Sequence, residues 1–261
     1  MNADDYAYLY ELEEDFWWFA GMRQITAALL DPVCPPTRDR SILDAGCGTG
    51  GMLAWLKRYA GNGRVAGVDL NPTAVDFCRL GGHTTAAQAS VTDLPFSDST
   101  FDLVTSFDVL GELPDETSAD RAIDEIKRVL KPQGIAFVRV AAYEWIRSSH
   151  DSAQDNQHRY LAGELAGKMK HAGFDVLRST HANGLLMPLA IFQRLVLKRL
   201  GVASGSDVKP LPSMLRWLNS AFSATLRTEA RWLRRPAANL SFGLSAICVA
   251  QKRSAPPSSN S

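Results

Sequence analysis

Apolar positions recur in two rhythms along the chain. SILDAG (41–46), RVAGVDL (64–70), FDLVTSFDVL (101–110) and GIAFVRVAA (134–142) have the length and near-continuous apolar character of buried strands. Between them stand helical patterns: MLAWLKRYA (52–60), TAVDFCRL after Pro72, and SADRAIDEIKRVL (118–130), where Ile123, Ile126, Val129 and Leu130 supply the apolar positions. Pro72 suits a first helical turn. A weak alternating strand is expected over 83–89 and a turn at KPQG (131–134). YLAGELAGKMKHAGF (160–174) reads as a helix closed by Gly173, FDVLRST (174–180) as a strand, and SFGLSAICVAQK (241–252) as a final strand. Strand alternating with helix predicts an α/β fold, with a parallel sheet and helices on both faces.

The flanks break this rhythm and divide the chain. Residues 1–36 predict an N-terminal helical cap, amphipathic to about residue 30, with the aromatic cluster FWWF at 16–19; Pro32, Pro35 and Pro36 end it. Two adjacent tryptophans cannot share one helix face, so at least one of Trp17 and Trp18 is expected to face a cleft or a ligand. Residues 37–184 form the expected core. A helical, basic insertion follows at 185–240, then the final core strand at 241–252 and a disordered tail at 253–261. LLMPLAIFQRLVLKRL (185–200) has an apolar face and a basic end. It suits a lid, an interfacial helix giving peripheral membrane contact, or a packed helical subdomain with a solvated face.

Composition alters the picture in three places. Net charge is zero, so no global field favours nucleic acid or an anionic membrane. That zero hides an acidic first twenty residues and a basic stretch over 178–235. Cys34, Cys47, Cys78 and Cys248 are scattered, without a CxxC pair or metal-ligand spacing, and read as reduced thiols of a cytoplasmic protein. The acidic start does not resemble a secretory signal, and GLLMPLAIF (184–192) is far shorter than the roughly 18 apolar residues of a membrane span.

The candidate chemistry begins at ILDAGCGTGG (42–51). A strand, a glycine-rich turn and a helix start make a cradle that a ligand can approach closely. Gly46, Gly48 and Gly51 would also satisfy the GxGxxG of a dinucleotide site. Asp44 separates the two: a pyrophosphate gains nothing from a carboxylate at the loop mouth, whereas a cofactor with ammonium and sulfonium groups does. Asp69 ends the second strand about 20 residues beyond the loop, where a carboxylate can accept ribose hydroxyls. Asn71 is the better helix cap there.

Asp44, Gly46, Gly48 and Gly50, spaced as DxGxGxG, resemble the first motif of the class I S-adenosylmethionine-dependent methyltransferases. VTDLPFSDSTFDLV (91–104) and EDFWWFAGMR (14–23) resemble segments of their type-11 branch. The resemblance implies a Rossmann-like, mostly parallel seven-stranded sheet with an antiparallel final strand. It implies S-adenosyl-L-methionine as cofactor, held by Asp44, Ala45, Gly46, Cys47, Gly48 and Gly50, with Asp69 on the ribose and Leu70 on the adenine. Ser90 and Val91 stand where the family places an acidic residue near the adenine amino group. Phe107 is expected near the methionine tail, and Trp18 and Arg23 in the cap over the pocket. Asp108 and Glu112 face cofactor or acceptor. No metal is required.

Methyl transfer is an in-line displacement at an activated carbon, so the protein mainly aligns, excludes water and removes a proton where needed. His150, His158 and Tyr160, in the polar segment 143–160, are the candidate catalytic groups. The expected acceptor is a small molecule: lipid-linked, a glycan or a natural product, methylated on oxygen or nitrogen. No basic stripe interleaves with aromatics near the loop, so no nucleic acid is expected. Two rivals stand beside this one. The first is a nicotinamide-dependent oxidoreductase, disfavoured by Asp44, by a reversed final strand and by the lack of a Tyr-x-x-x-Lys pair. The second is a non-catalytic methyltransferase-like binding module.

Overall fold

The structure, a computed structural model, describes residues 3–36, 38–146, 158–192 and 216–254. In chain order the elements are α1 (Ala3–Asp15), α2 (Trp17–Leu30), β1 (Ser41–Ala45), α3 (Gly51–Ala60), β2 (Arg64–Asp69), α4 (Pro72–Leu80) and β3 (Ala86–Gln88). There follow β4 (Phe101–Phe107), α5 (Glu116–Val129), β5 (Leu130–Ala141), α6 (Ala162–His171), β6 (Phe174–Ala182), α7 (Met187–Ile191), α8 (Arg216–Leu233) and β7 (Ser245–Lys252).

The strands form one seven-stranded sheet in the order β3-β2-β1-β4-β5-β7-β6. Pairs from β3 to β5 are parallel, and β7 lies antiparallel to both β5 and β6. Alternation decides which face each residue serves. Along β7, Ile247 and Val249 pack with α2, α3 and α8, while Ala246, Cys248 and Ala250 pack with α5 and α6. Both faces are therefore covered, as a parallel sheet requires. Chain reversal at β1 leaves the carboxyl ends of β1, β2 and β4 open to a ligand, the usual place in such sheets.

Four local departures from the sequence pattern have physical causes. The N-terminal helix is broken at Phe16, which is extended (φ −71°, ψ 130°) and buried, so α1 and α2 are separate. The turn at 131–134 is absorbed into β5 as an irregularity: Phe101 pairs Leu130, the register then shifts, and Gln133 takes φ 64°. Residues 241–244 stay outside the last strand, which starts at Ser245. The early strand at 83–89 shrinks to three residues at the sheet edge.

Helix α8, from the basic insertion, packs against α2 on the sheet. Leu226 is fully buried, and a Cβ at Gly21 of α2 would lie 2.2 Å from its Cδ1. Buried Glu229 ties α8 to the exit of β6: its carboxylate accepts from the backbone N–H of Asn183, of Gly184 (2.9 Å) and of Leu185 (3.1 Å). Of the apolar segment at 185–200, residues 187–191 are helical and 193–200 lie outside the described residues. No described helix is long and apolar enough to cross a membrane.

Candidate functional site

Three glycines shape the turn after β1. Gly46 has φ +85°, and a Cβ there would fall 2.1 Å from Val109 Cγ2, so no other residue fits. Gly50 (φ +97°) is the N-cap of α3. Gly48 faces open space, with nothing within 4 Å of where its Cβ would be. The backbone N–H groups of Gly46 and Cys47 both donate to Val68 O at 2.8 Å, pinning the loop to the end of β2. The Cys47 side chain turns beneath the loop, its Sγ 3.8 Å from Cys78 Sγ.

Asp44 lies in β1 below this turn, 1% exposed. Parallel pairing sets it beside Thr105 of β4, and the Thr105 hydroxyl donates to Asp44 Oδ1 at 2.7 Å. Burial pushes the Asp44 carboxyl up to about 7, against the opposing pull of that hydrogen bond and of the Arg139 charge. Asp69 ends β2; its carboxylate accepts from Gly48 N and Asn71 N, each at 2.9 Å. Burial raises its pKa as well, opposed by these bonds. Asn71 caps α4, accepting from Thr73 N.

On the other side of Asp44, β4 and β5 carry Phe107 and Arg139 in register. The Arg139 side chain is buried and donates through Nε (3.0 Å) and Nη2 (2.6 Å) to Asp108, which is held at φ 63°. Its guanidinium lies 5.1 Å from the Trp18 ring and 4.9 Å from Phe107. The tryptophans do diverge: Trp17 packs on Phe222 of α8 while Trp18 covers Arg139.

The N-terminal segment also reaches the loop. Glu13 of α1 accepts from the Thr49 hydroxyl (2.7 Å) and from Gly51 N (2.8 Å), placing a carboxylate at the start of α3. The helix dipole and free N–H groups favour an anion there. Burial nevertheless raises the pKa of Glu13. Arg23 donates to the Glu13 carbonyl at 2.9 Å, locking α1 to α2. Tyr10 packs on Phe77 of α4, so α1 spans the mouth of the loop.

The other expected site residues are spread along the same sheet edge. Leu70 is 69% exposed beside Asp69. The Ser90 hydroxyl pairs with that of Thr92 (2.8 Å) in a turn after β3, and the Val91 side chain enters the core. His158 sits further along: its N–H donates to Gly111 O, and its ring nitrogens face Glu116 (2.9 Å) and Glu144 (3.8 Å). Tyr160 is buried, its hydroxyl donating to Glu116 at 3.1 Å; burial, then Glu116, raises its pKa. His150 lies outside the described residues. Thr105, Arg139 and Glu13 were not singled out by the sequence. Arg139 alone left a trace, as a lone cation inside the apolar strand GIAFVRVAA.

Residues 43–138, from β1 into β5, match the family profile described as a methyltransferase domain, type 11. Over that stretch the chain is similar to methyltransferase domains, in keeping with its DxGxGxG turn. Its relatives include a 24-methylenesterol C-methyltransferase 2 of Oryza sativa, 28% identical over 67% of this chain and 52% of that protein. A fatty-acid O-methyltransferase of Mycolicibacterium smegmatis is 33% identical over 43% of each chain. The chain spans about half or less of the length of the curated relatives it matches, from 54% down to 33%. Among solved structures, Haemonchus contortus phosphoethanolamine N-methyltransferase 2 in complex with S-adenosyl-L-methionine superposes with a TM-score of 0.56. It is 18% identical over 88% of this chain and 52% of that one, a likeness of fold. The matches named here, and the antiparallel β7, give the nicotinamide-dependent alternative no support.

Proposed function

We propose that this chain transfers the methyl group of S-adenosylmethionine to an apolar small molecule. The observation that carries the reading is Asp44: a buried carboxylate below a glycine turn, with a pKa raised to about 7 by burial, which the Thr105 hydrogen bond and the Arg139 charge leave without full positive compensation. A ligand ammonium would supply that charge, directly or through ordered water. The open space at Gly48 fits a ligand pressed against the backbone. Asp44, the backbone of 45–50, Asp69, Leu70, the turn at Ser90 and Val91, and Phe107 would hold the cofactor, with Trp18 and Arg23 in the cap. When bound, the cofactor supplies a methyl group already activated on a sulfonium.

The protein's own part is to bind, enclose and move a proton. Helices α1 and α2 close the pocket, with Glu13 on Thr49 and Gly51 as the clasp. The Asp108–Arg139 pair, with Trp18 and Phe107 against its guanidinium, forms one wall of the pocket. His158 is the proton acceptor for an acceptor hydroxyl, oriented between Glu116 and Glu144. Tyr160, with its hydroxyl committed to Glu116, positions that carboxylate and transfers no proton itself.

An apolar acceptor draws support from two observations. The relatives named above act on a sterol and on a fatty acid. Trp145, Leu185, Leu189 and Phe192 are each about half exposed, just past the carboxyl ends of β5 and β6. Incubation with labelled S-adenosylmethionine and separate panels of hydroxylated lipids, quinone-like phenols and glycans tests the reading. Label should move into a lipid or phenol; transfer only to glycans refutes the acceptor class, and transfer to none refutes the activity.

A further inference from the structure

Methyl transfer leaves unused the arginines of the late insertion. Arg227 and Arg231 stand four apart on α8 and share a helix face, and Arg234 follows in the turn directly after its end. That face meets Arg23 of α2 and Arg58 of α3 around a cavity of about 290 Å³, whose wall also holds Trp55 and Asp31. The Arg58 guanidinium is fixed 5.4 Å from the ring centroids of both Trp55 and Tyr59. Asp31, the single carboxylate of the lining, accepts the Tyr59 hydroxyl at 2.6 Å. Among the described residues, no carboxylate forms an ion pair with Arg58, Arg227, Arg231 or Arg234.

The guanidinium groups of Arg58, Arg227, Arg231 and Arg234 thus line one cavity whose lining holds a single carboxylate, Asp31; Arg23, which also lines it, donates to the Glu13 carbonyl. An ordinary solvated basic face spreads its charges outward into water. Here the exposed arginines of α3 and α8 line one half-open groove, so their like charges sum over a shared space. Guanidinium forks match phosphate oxygens two at a time, and mutual repulsion among them is relieved most by a ligand with several negative charges. The volume is at the lower end of the roughly 300–1,000 Å³ usual for small-ligand sites, room for a phosphorylated head and no more. The cavity opens between the outer surfaces of α2, α3 and α8, and none of the glycine-turn residues lines it.

We propose that the cavity between α2, α3 and α8 is a second binding site, for a phosphoryl group bearing at least two negative charges. The group comes either from a soluble pyrophosphate or phosphomonoester, or from an anionic phospholipid head. This site shares only Arg23 with the proposed cofactor cap, and its arginines on α3 and α8 lie outside the methyl-transfer machinery.

Calorimetry of the full chain with inorganic pyrophosphate, at ionic strength fixed with chloride and without methyl donor, is the first arm. Sedimentation with phosphatidylcholine vesicles, with and without phosphatidic acid, is the second. Each is repeated with the R227Q/R231Q double variant and with the charge-matched control R64Q/R121Q, whose side chains are exposed elsewhere. Pyrophosphate should bind saturably, with affinity at least tenfold weaker in R227Q/R231Q and unchanged in the control. Binding to phosphatidic-acid vesicles with the same variant pattern assigns the lipid source; pyrophosphate binding alone assigns the soluble one. The proposal is overturned if neither probe binds, or if both double variants lose affinity equally, since that would reflect net charge and no site. Circular dichroism melts confirm that each variant is folded.

Discussion

A carboxylate removed from water without a directly bonded cation costs several kcal/mol, and Asp44 has only the Thr105 hydroxyl as donor and the Arg139 charge to offset it. Proton uptake relieves part of that cost in the free protein, and a bound cation would offset it. Asp44→Asn keeps the shape and removes the charge, so the variant should gain on the order of 2 kcal/mol at neutral pH. Its Tm should rise by about 2–4 °C per kcal/mol gained, as scanning calorimetry without ligand can read. Glu13 behaves in the opposite sense. Its carboxylate satisfies the start of α3, and Glu13→Ala leaves Gly51 N and the Thr49 hydroxyl without that acceptor. A loss of about 1–2 kcal/mol in urea unfolding is expected, with weaker binding of S-adenosylmethionine because the clasp is gone.

Helices α2 and α8 pack directly against each other on their face of the sheet. Gly21 lets them approach, and its missing side chain is filled by Leu226. Gly21→Val forces them apart and should cost about 1–3 kcal/mol, whereas Gly163→Ala on α6, where a Cβ meets nothing within 4 Å, should be neutral or mildly stabilising; chemical denaturation distinguishes the two. The elements differ in how far the sequence revealed them. β1, β2, β4 and the second half of β5 were legible because both faces are buried and local apolar runs suffice. The KPQG segment was not, since pairing of Leu130 with Phe101 overrides its turn chemistry. Asp44 and its glycines were legible because one turn contains them. Thr105, Arg139 and Glu13 were not, because strand pairing and the fold-back of α1 bring them there from 31 to 95 residues away. Trp17 and Trp18 were half legible: their divergence follows from helix geometry, but their partners Phe222 and Arg139 do not.

At the scale of the whole molecule, the buried carboxylates set an unusual response to acid. Asp44, Glu13, Asp69 and Glu229 all have pKa values raised by burial. Each folded pKa exceeds its unfolded value, so folding takes up protons, and the stability these groups contribute is complete below the unfolded pKa and lost as pH rises through the folded one. For Asp44 the window runs from 3.8 to about 7. Glu116 and Glu125, with lowered pKa values at more exposed ion pairs, act in the other direction but are screened by solvent. Melting temperature followed from pH 7 down toward 4 should therefore fall less than acid titration of surface ion pairs alone would give. Asp44→Asn should steepen that fall by removing the compensating proton uptake.

Cofactor recognition by the buried acid is tested most directly by titration calorimetry of S-adenosylmethionine into the intact chain and into Asp44→Asn across this same pH range. A cation binds the ionised carboxylate, so wild-type affinity should fall as pH drops below about 7, by up to tenfold per unit, with proton release on binding near neutrality. The Asn variant should bind at least tenfold more weakly at pH 8 and lose most of that pH dependence. Equal affinity of the two proteins, with the same pH profile, would contradict the account.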